Sequence, residues 1–249
     1  MRLQGKIALI TGGTRGIGAA TAVALAERGA DVAIVGRHDD EQAGKTRSTV
    51  GALGRRCEVI VADMGRAEDA TRCVEEAALQ VGPIDILIHA AGGNVPGGLL
   101  QLTPEAWYDA FNVHVHAVYY LCRAAIPMMK RKREGAIVLV SSVAGLRGVP
   151  FNTAYQVVKG TLPQFARALA REFADDNIRV NAVAPGIIRT QFHAGMSPEQ
   201  QKHNLDNRIP LHREGTAGHV ASLILALVEN DYITGETLTI DGGLTMRIA

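Results

Sequence analysis

Charge of one sign is missing from this chain: 26 Lys and Arg stand against 25 Asp and Glu in 249 residues, a formal charge of +1. Without a global field there is little to hold a polyanion, so no nucleic-acid partner is expected. Paired cysteines are missing too. The three that occur, Cys57, Cys73 and Cys122, form no C-x-x-C, which argues against a zinc or disulfide framework and fits a reducing cytoplasm. Long apolar runs are also absent. Residues 1–6 lead straight into a short strand-like stretch, too brief for a signal peptide or membrane span, so a cytoplasmic protein without a membrane partner is expected. Nor is there a Pro/Gly/Ser-rich linker, a repeat or a low-complexity tract. Length alone would allow one large or two small domains, and the uninterrupted pattern predicts one, over residues 1–249.

What is present is an alternation. Apolar β-like runs recur at 6–11, 31–35, 57–62, 84–89, 136–141, 178–184 and 236–240, with helix-length segments between them. Strands apolar on both faces and joined by helices imply a parallel sheet, because each right-handed crossover lays its helix on a sheet face. The expected fold is therefore α/β: a doubly wound, seven-stranded parallel sheet with helices on both faces. Residues 187–214 break the rhythm. They are polar, helix-like in pieces and without a strand, and lie at the sheet edge where a substrate lid would sit.

The first run is followed at once by Thr11-Gly12-Gly13-Thr14-Arg15-Gly16-Ile17-Gly18 and then a helix. A glycine-rich turn there aims backbone N–H groups and a helix N-terminus at an anion, and lets phosphates come close. As a bare string it is weak; after the first strand of such a pattern it reads as a dinucleotide cradle. The second run ends Val35-Gly36-Arg37-His38. An acid there would bind a ribose 2′-OH, whereas Arg37 and Arg15 would receive a 2′-phosphate, so NADP(H) is expected, with NAD the other possibility. The competing view is that both arginines are solvated, paired with Asp39 and Asp40. Asp63, after the third run, is open to two readings: a contact at the adenine edge, or a helix N-cap.

Tyr155-Gln156-Val157-Val158-Lys159 begins an apolar helix, so phenol and ammonium share a face. Chance would produce one Y-x-x-x-K pair in about one chain in eight of this composition, so the pair needs company. Ser142, at the end of the fifth run, supplies it at the same carboxyl edge as the glycine turn. The chemistry suits these types. A ketone receiving hydride develops an alkoxide, which Ser142 would hold and Tyr155 protonate. Lys159 would lower the phenol pKa and grip the nicotinamide ribose.

These residues, with Asp63, Ala91-Gly92, Asn181-Ala182-Val183-Ala184-Pro185-Gly186, Thr190, Tyr232-Ile233-Thr234-Gly235 and Asp241-Gly242-Gly243, resemble the single-domain short-chain dehydrogenase/reductases over essentially the whole chain. The resemblance implies that Met64, Ala91 and Gly92 flank the cofactor, that Pro185, Gly186 and Ile188 border the nicotinamide, and that Thr190 meets its carboxamide. It also implies a mobile substrate loop at 187–214 and a homotetramer. Two positions depart from the family pattern. His89-Ala90-Ala91-Gly92 stands where Asn-Asn-Ala-Gly is usual, and His114 takes the place of the asparagine that anchors a water passing protons to the lysine. An imidazole has a donor and an acceptor, so His114 is expected to hold the same water and, with an ordinary pKa near 6.5, to titrate in the working range. The alternatives are that His114 merely packs, or that Asn112 reaches the site. His114 and His116, two apart on a helix, share no face, so no metal is expected there.

The nearest-looking relatives are 3-oxoacyl-carrier-protein reductases and sugar or polyol dehydrogenases. Lys130-Arg131-Lys132-Arg133 would offer an acidic carrier a landing patch, whereas Asp175-Asp176 would repel it. The expected substrate is therefore a small alcohol or ketone, touching Asn94, Val95, Phe151, Gln191, His193 and Met196, with His203 another candidate. The alternative substrate is a carrier-bound 3-oxoacyl group. The alternative of another class is a non-catalytic NADP-binding regulator.

Overall fold

The computed structural model describes residues 1–246, and of His193 only the backbone. Seven strands form one parallel sheet in the order β3-β2-β1-β4-β5-β6-β9. In chain order they are β1 (Ile7–Thr11), β2 (Asp31–Gly36), β3 (Cys57–Val61), β4 (Ile86–His89), β5 (Gly135–Val140), β6 (Ile178–Pro185) and β9 (Thr237–Ile240). Every one falls within two residues of an expected run. Leu9, Ile10, Ile34, Leu87, Ile88 and Ile137 are fully enclosed because helices cover both faces.

One layer holds α1 (Gly16–Glu27), α2 (Glu41–Ala52) and α8 (Ala217–Glu229); the other holds α3 (Ala67–Gln80), α5 (Ala117–Lys132) and α6 (Thr153–Glu172). The apolar interior splits accordingly into two clusters, one around Leu25, Ile34 and Ile224, the other around Val74, Leu121 and Leu162. The short α4 (Pro104–Phe111) passes into a π-helical turn, Asn112–His116, before α5 begins. Because β1 pairs with both β2 and β4, strand order reverses beside β1. A crevice opens there at the carboxyl ends of the strands, the usual ligand side of such sheets.

The 187–214 segment departs from expectation in one respect. It contains β7 (Ile188–Arg189), which pairs in parallel with β8 (Gly215–Thr216), besides α7 (Pro198–His203) and a second π-helical turn, Asn204–Arg208. Two residues are too few to produce an alternation that a sequence reveals. The ladder is a separate two-stranded sheet that ties the two ends of the segment to each other, and buried Glu214 reinforces it by accepting from Arg189 Nε (3.0 Å) and Gln201 Nε2 (3.1 Å).

Candidate active site

A cleft of about 660 Å³ runs along the carboxyl edge of the sheet, from the glycine turn to the start of α6. At one end Gly12 takes φ +65°, and a Cβ on Gly18 would stand 2.1 Å from the Gly12 carbonyl oxygen, so the turn and α1 can meet only as glycines. Arg15, at the N-cap of α1, makes no side-chain cap and the first turn carries no acid. The free N–H groups of that turn and the dipole of α1 therefore suit an anion, and a dinucleotide pyrophosphate fits this end. Thr14, Gly16, Ile17, Asp63, Met64, Ala91, Gly92, Pro185, Gly186, Ile188 and Thr190, all singled out in the sequence, line the cleft as well.

Arg37 and Arg15 both lie on the cleft wall. Arg15 is shared between Asp40 (3.7 Å) and Gln191 Oε1 (3.2 Å), whereas Asp39 pairs with Arg47 (3.3 Å) and leaves Arg37 alone. Asp63 is not a helix cap, since Arg66 holds that position in α3; its carboxylate accepts from Gly65 N (2.9 Å) in the turn before it.

At the other end, β5 stops at Val140 and Ser142 opens a 3-10 turn two residues later, slightly past the expected strand end. Tyr155 sits in the first turn of α6 and is 9% exposed. Burial holds its phenol above the ordinary value, partly offset by the hydrogen bond with Ser142. Lys159 lies one turn further, with Nζ 5.8 Å from the Tyr155 ring centroid and donating to the Val140 carbonyl at 2.7 Å. Burial drives its ammonium down to about 7. The expected lowering of the phenol by Lys159 is thus not a property of the chain alone, because the ammonium turns to a backbone carbonyl and burial dominates at the ring.

His114 lies in the π-helical turn, 1% exposed and edge-on to Tyr155 with centroids 6.0 Å apart. Its Nε2 faces the Gly93 carbonyl oxygen at 3.2 Å, so the proton belongs on Nε2, and buried Nδ1 is left as an acceptor without a partner. The ring rests against Gly92, where a Cβ would stand 2.0 Å from Cε1. Burial, with Lys159 nearby, pushes the His114 pKa to about 2. The expectation that His114 titrates near neutrality is therefore overturned: it is a fixed, neutral acceptor. Asn112 turns away to meet His116 Nδ1 (3.0 Å). His89, which the sequence marked only as a departure, is buried as well, with Nδ1 2.9 Å from Thr11 Oγ1 and its pKa lowered to about 3 by burial.

The expected substrate residues divide. Asn94 and Gln191 line the cleft, and the latter's neighbour Phe192, which the sequence reading missed, lies 5.9 Å from the Tyr155 ring. Val95 does not face the cleft; it packs with Ala154 and Val158 beneath α6. Met196 is held in the lid, its sulfur accepting from Asn204 Nδ2 (3.3 Å). Phe151 stands outside the cleft wall, 77% exposed. The His193 side chain lies outside the described residues, and His203 bonds Asn207 (3.3 Å) on the exposed face of the lid. The carrier arguments also move. Lys130 pairs with Asp176 (2.9 Å) and Lys132 with Asp85 (2.7 Å), all at the amino ends of the strands. Neither the basic run nor the acidic pair is at the cleft mouth, so neither attracts or repels a carrier there.

A doubly wound sheet with an anion-binding first turn and a serine, tyrosine and lysine at one crevice defines a class, the Rossmann-type oxidoreductases. A family model described as enoyl-(acyl carrier protein) reductase matches residues 12–245. The 3-oxoacyl-[acyl-carrier-protein] reductase of Thermotoga maritima is 36% identical over 99% of this chain and 100% of that protein. Among solved structures, acetoin dehydrogenase from Salmonella typhimurium is 29% identical with a TM-score of 0.89, covering 98% of each chain. L-sorbose reductase from Gluconobacter frateurii, complexed with NADPH and L-sorbose, is 26% identical with a TM-score of 0.91, covering 100% of each. The chain belongs to the short-chain dehydrogenase/reductase family, oxidoreductases acting on CH–OH and carbonyl groups. Among the described residues no helix is long and apolar enough to cross a membrane.

Proposed function

We propose that this protein is an NADP(H)-dependent reductase that interconverts a small ketone and its alcohol, with Tyr155 as the acid/base, Ser142 holding the substrate oxygen and Lys159 securing the cofactor ribose. The observation that carries the reading is that Ser142, Tyr155 and Lys159 line one cleft together with the glycine turn, Lys159 being buried one helical turn beyond Tyr155. The nicotinamide, when bound, supplies or accepts the hydride at the carbonyl carbon. Ser142 donates to the carbonyl oxygen, and the neutral Tyr155 phenol gives its proton to the forming alkoxide. A phenol kept protonated by burial suits this reductive direction. Lys159, which would hold the cofactor ribose, would restore the proton to Tyr155, and the unpartnered His114 Nδ1 would accept from a water on that path. A break in kcat/KM near pH 7 belongs on this reading to Lys159, and His114→Asn leaves it in place.

Arg37 supports NADP(H) over NAD, because among the described residues no carboxylate pairs with it and a 2′-phosphate would. The NADPH held by the sorbose reductase structure supports the same choice. We place the substrate lid at 187–214 within one domain spanning 1–249, in the cytoplasm. We further propose a homotetramer built through α5 and α6, whose outer faces expose Tyr119 and Val157; light scattering at a four-chain mass tests it. A second reading, reduction of a carrier-bound 3-oxoacyl group, is favoured by the Thermotoga maritima relative.

The test is titration of NADPH and NADH by fluorescence, followed by turnover on a panel of ketones, ketoses and 3-oxoacyl thioesters. NADPH binding with turnover that Tyr155→Phe abolishes is expected. Tight NADPH binding with no turnover on any carbonyl would replace the enzyme with a nucleotide-binding regulator.

A further inference from the structure

Phe151 adopts φ +57°, a left-handed conformation that is costly for a bulky aromatic residue. Burial does not repay it, since the ring is 77% exposed. The other non-glycine residues with positive φ have local reasons: Arg133 and Asn177 end helical turns, and His212 Nδ1 bonds the Leu205 carbonyl at 2.8 Å. Phe151 is instead strapped in place from outside. Gly97 N donates to its carbonyl (2.9 Å), and Thr153 N donates back to the Gly97 carbonyl (3.1 Å). Its ring lies over Gly98, where a Cβ would come 3.5 Å from Cδ1. The strap sits at the site. Asn152 Nδ2 donates to Asn94 Oδ1 (3.0 Å) on the cleft wall, and α6 begins one residue later, with Tyr155 in its first turn.

The lid contributes a second phenyl ring. Phe192, in the 3-10 turn Gln191–His193, is tilted over Tyr155. Two of the polar acceptors nearby are already engaged, Gln191 Oε1 with Arg15 and Asn94 Oδ1 with Asn152. A polyol would compete for these bonds, whereas an apolar group needs none of them.

We propose that Phe151 and Phe192 are the specificity-determining residues of this site, an apolar rim that selects carbonyl substrates carrying an alkyl or aryl substituent. The inference rests on the reading of the site as a ketone/alcohol oxidoreductase. On this proposal the strain at Phe151 is tolerated because its ring, one residue from the Asn152–Asn94 bond at the cleft wall, stands exposed to meet substrate and not core.

The experiment measures kcat and KM with NADPH for methyl ketones from propanone to 2-octanone, for 3-oxoacyl thioesters of N-acetylcysteamine of matched chain length, and for a ketose. For the wild type, kcat/KM should climb roughly two- to fourfold per methylene until the rim is covered, mostly through KM. Phe151→Gly, which relieves the backbone, should flatten that climb with no loss in Tm, and Phe192→Ala, on the lid surface, should flatten it independently. Phe151→Leu should keep most of it. A climb in the thioesters but not the ketones assigns the chain to an acyl group and upholds the rim. A flat series in the wild type, a preference for the ketose, or a slope that both variants leave intact overturns the inference while the oxidoreductase stands. Absence of turnover with every carbonyl overturns the underlying reading itself.

Discussion

The two edges of the one sheet treat charge in opposite ways. At the amino edge every buried acid is matched. Asp85 accepts from Ile7 N (3.0 Å) and Lys132 (2.7 Å), with Lys6 at 3.9 Å and itself joined to Glu134. Asp31 is held between Arg55 (2.7 Å) and Arg56 (3.0 Å), which keep its carboxyl below the usual range despite burial. At the carboxyl edge the buried groups are left short. Lys159 has a carbonyl and no carboxylate, and His114 and His89 each carry a ring nitrogen without a full partner. Partnering at the amino edge builds stability, while the deficits at the carboxyl edge are where a ligand completes the structure.

The largest effect should come from the deficient edge. Tyr155→Phe removes the proposed proton donor and should lower kcat by about 10³ or more, with Tm almost unchanged. Asp85→Ala inverts that result. It strands the Ile7 N–H and two lysines, so urea unfolding should show a loss of roughly 2–4 kcal/mol with kcat intact. If kcat fell in parallel, the separation of the two edges would not hold. Ser142→Ala should cost about 10²-fold in kcat through the lost oxyanion donor, with a small change in cofactor affinity. Arg37→Ala should weaken NADPH by about tenfold and leave NADH alone. Equal losses for both would remove the 2′-phosphate role.

The smallest effect, His114→Asn, concerns pH. A histidine whose folded pKa of about 2 lies below its unfolded 6.5 contributes stability that is full above pH 6.5 and lost as pH falls toward the folded value. His89, at about 3, acts over the same window. His114→Asn should therefore move the acid-unfolding midpoint down by a fraction of a pH unit and leave turnover at pH 7 within about threefold. An unmoved midpoint would locate the acid lability elsewhere.

The fold was legible because the inner strands are apolar on both faces and helix-length segments separate all seven runs; only the two-residue ladder of β7 and β8 was too short to register. The dinucleotide end of the cleft was equally legible, since a turn and the residues flanking it are local in sequence. The chemical end was less so. Tyr155 and Lys159 announce themselves by spacing, but the loss of charge on Lys159 and the neutrality of His114 come from burial under segments far away in the chain. Phe192 left one usable signal, a lone aromatic in an otherwise polar lid two residues beyond Thr190. Val95 packs against Ala154 and Val158 and Met196 bonds Asn204 within the lid, because proximity in sequence to the cleft does not decide which way a side chain turns. The basic run at 130–133 misled for a related reason: its position along the chain gave no hint that it lies across the sheet from the cleft.

The contact between Gly92 and His114 has a consequence for how this site can vary. With no room for a Cβ at 92 while an imidazole fills the space, and with φ +140° there besides, position 92 is closed to any side chain, whereas residue 114 can shrink without disturbing it. A library that randomises residue 92 should return glycine almost exclusively even when residue 114 is made smaller, while one that randomises residue 114 alone should accept smaller residues. The variation this corner of the cleft allows therefore runs in one direction, through the histidine and not through the glycine.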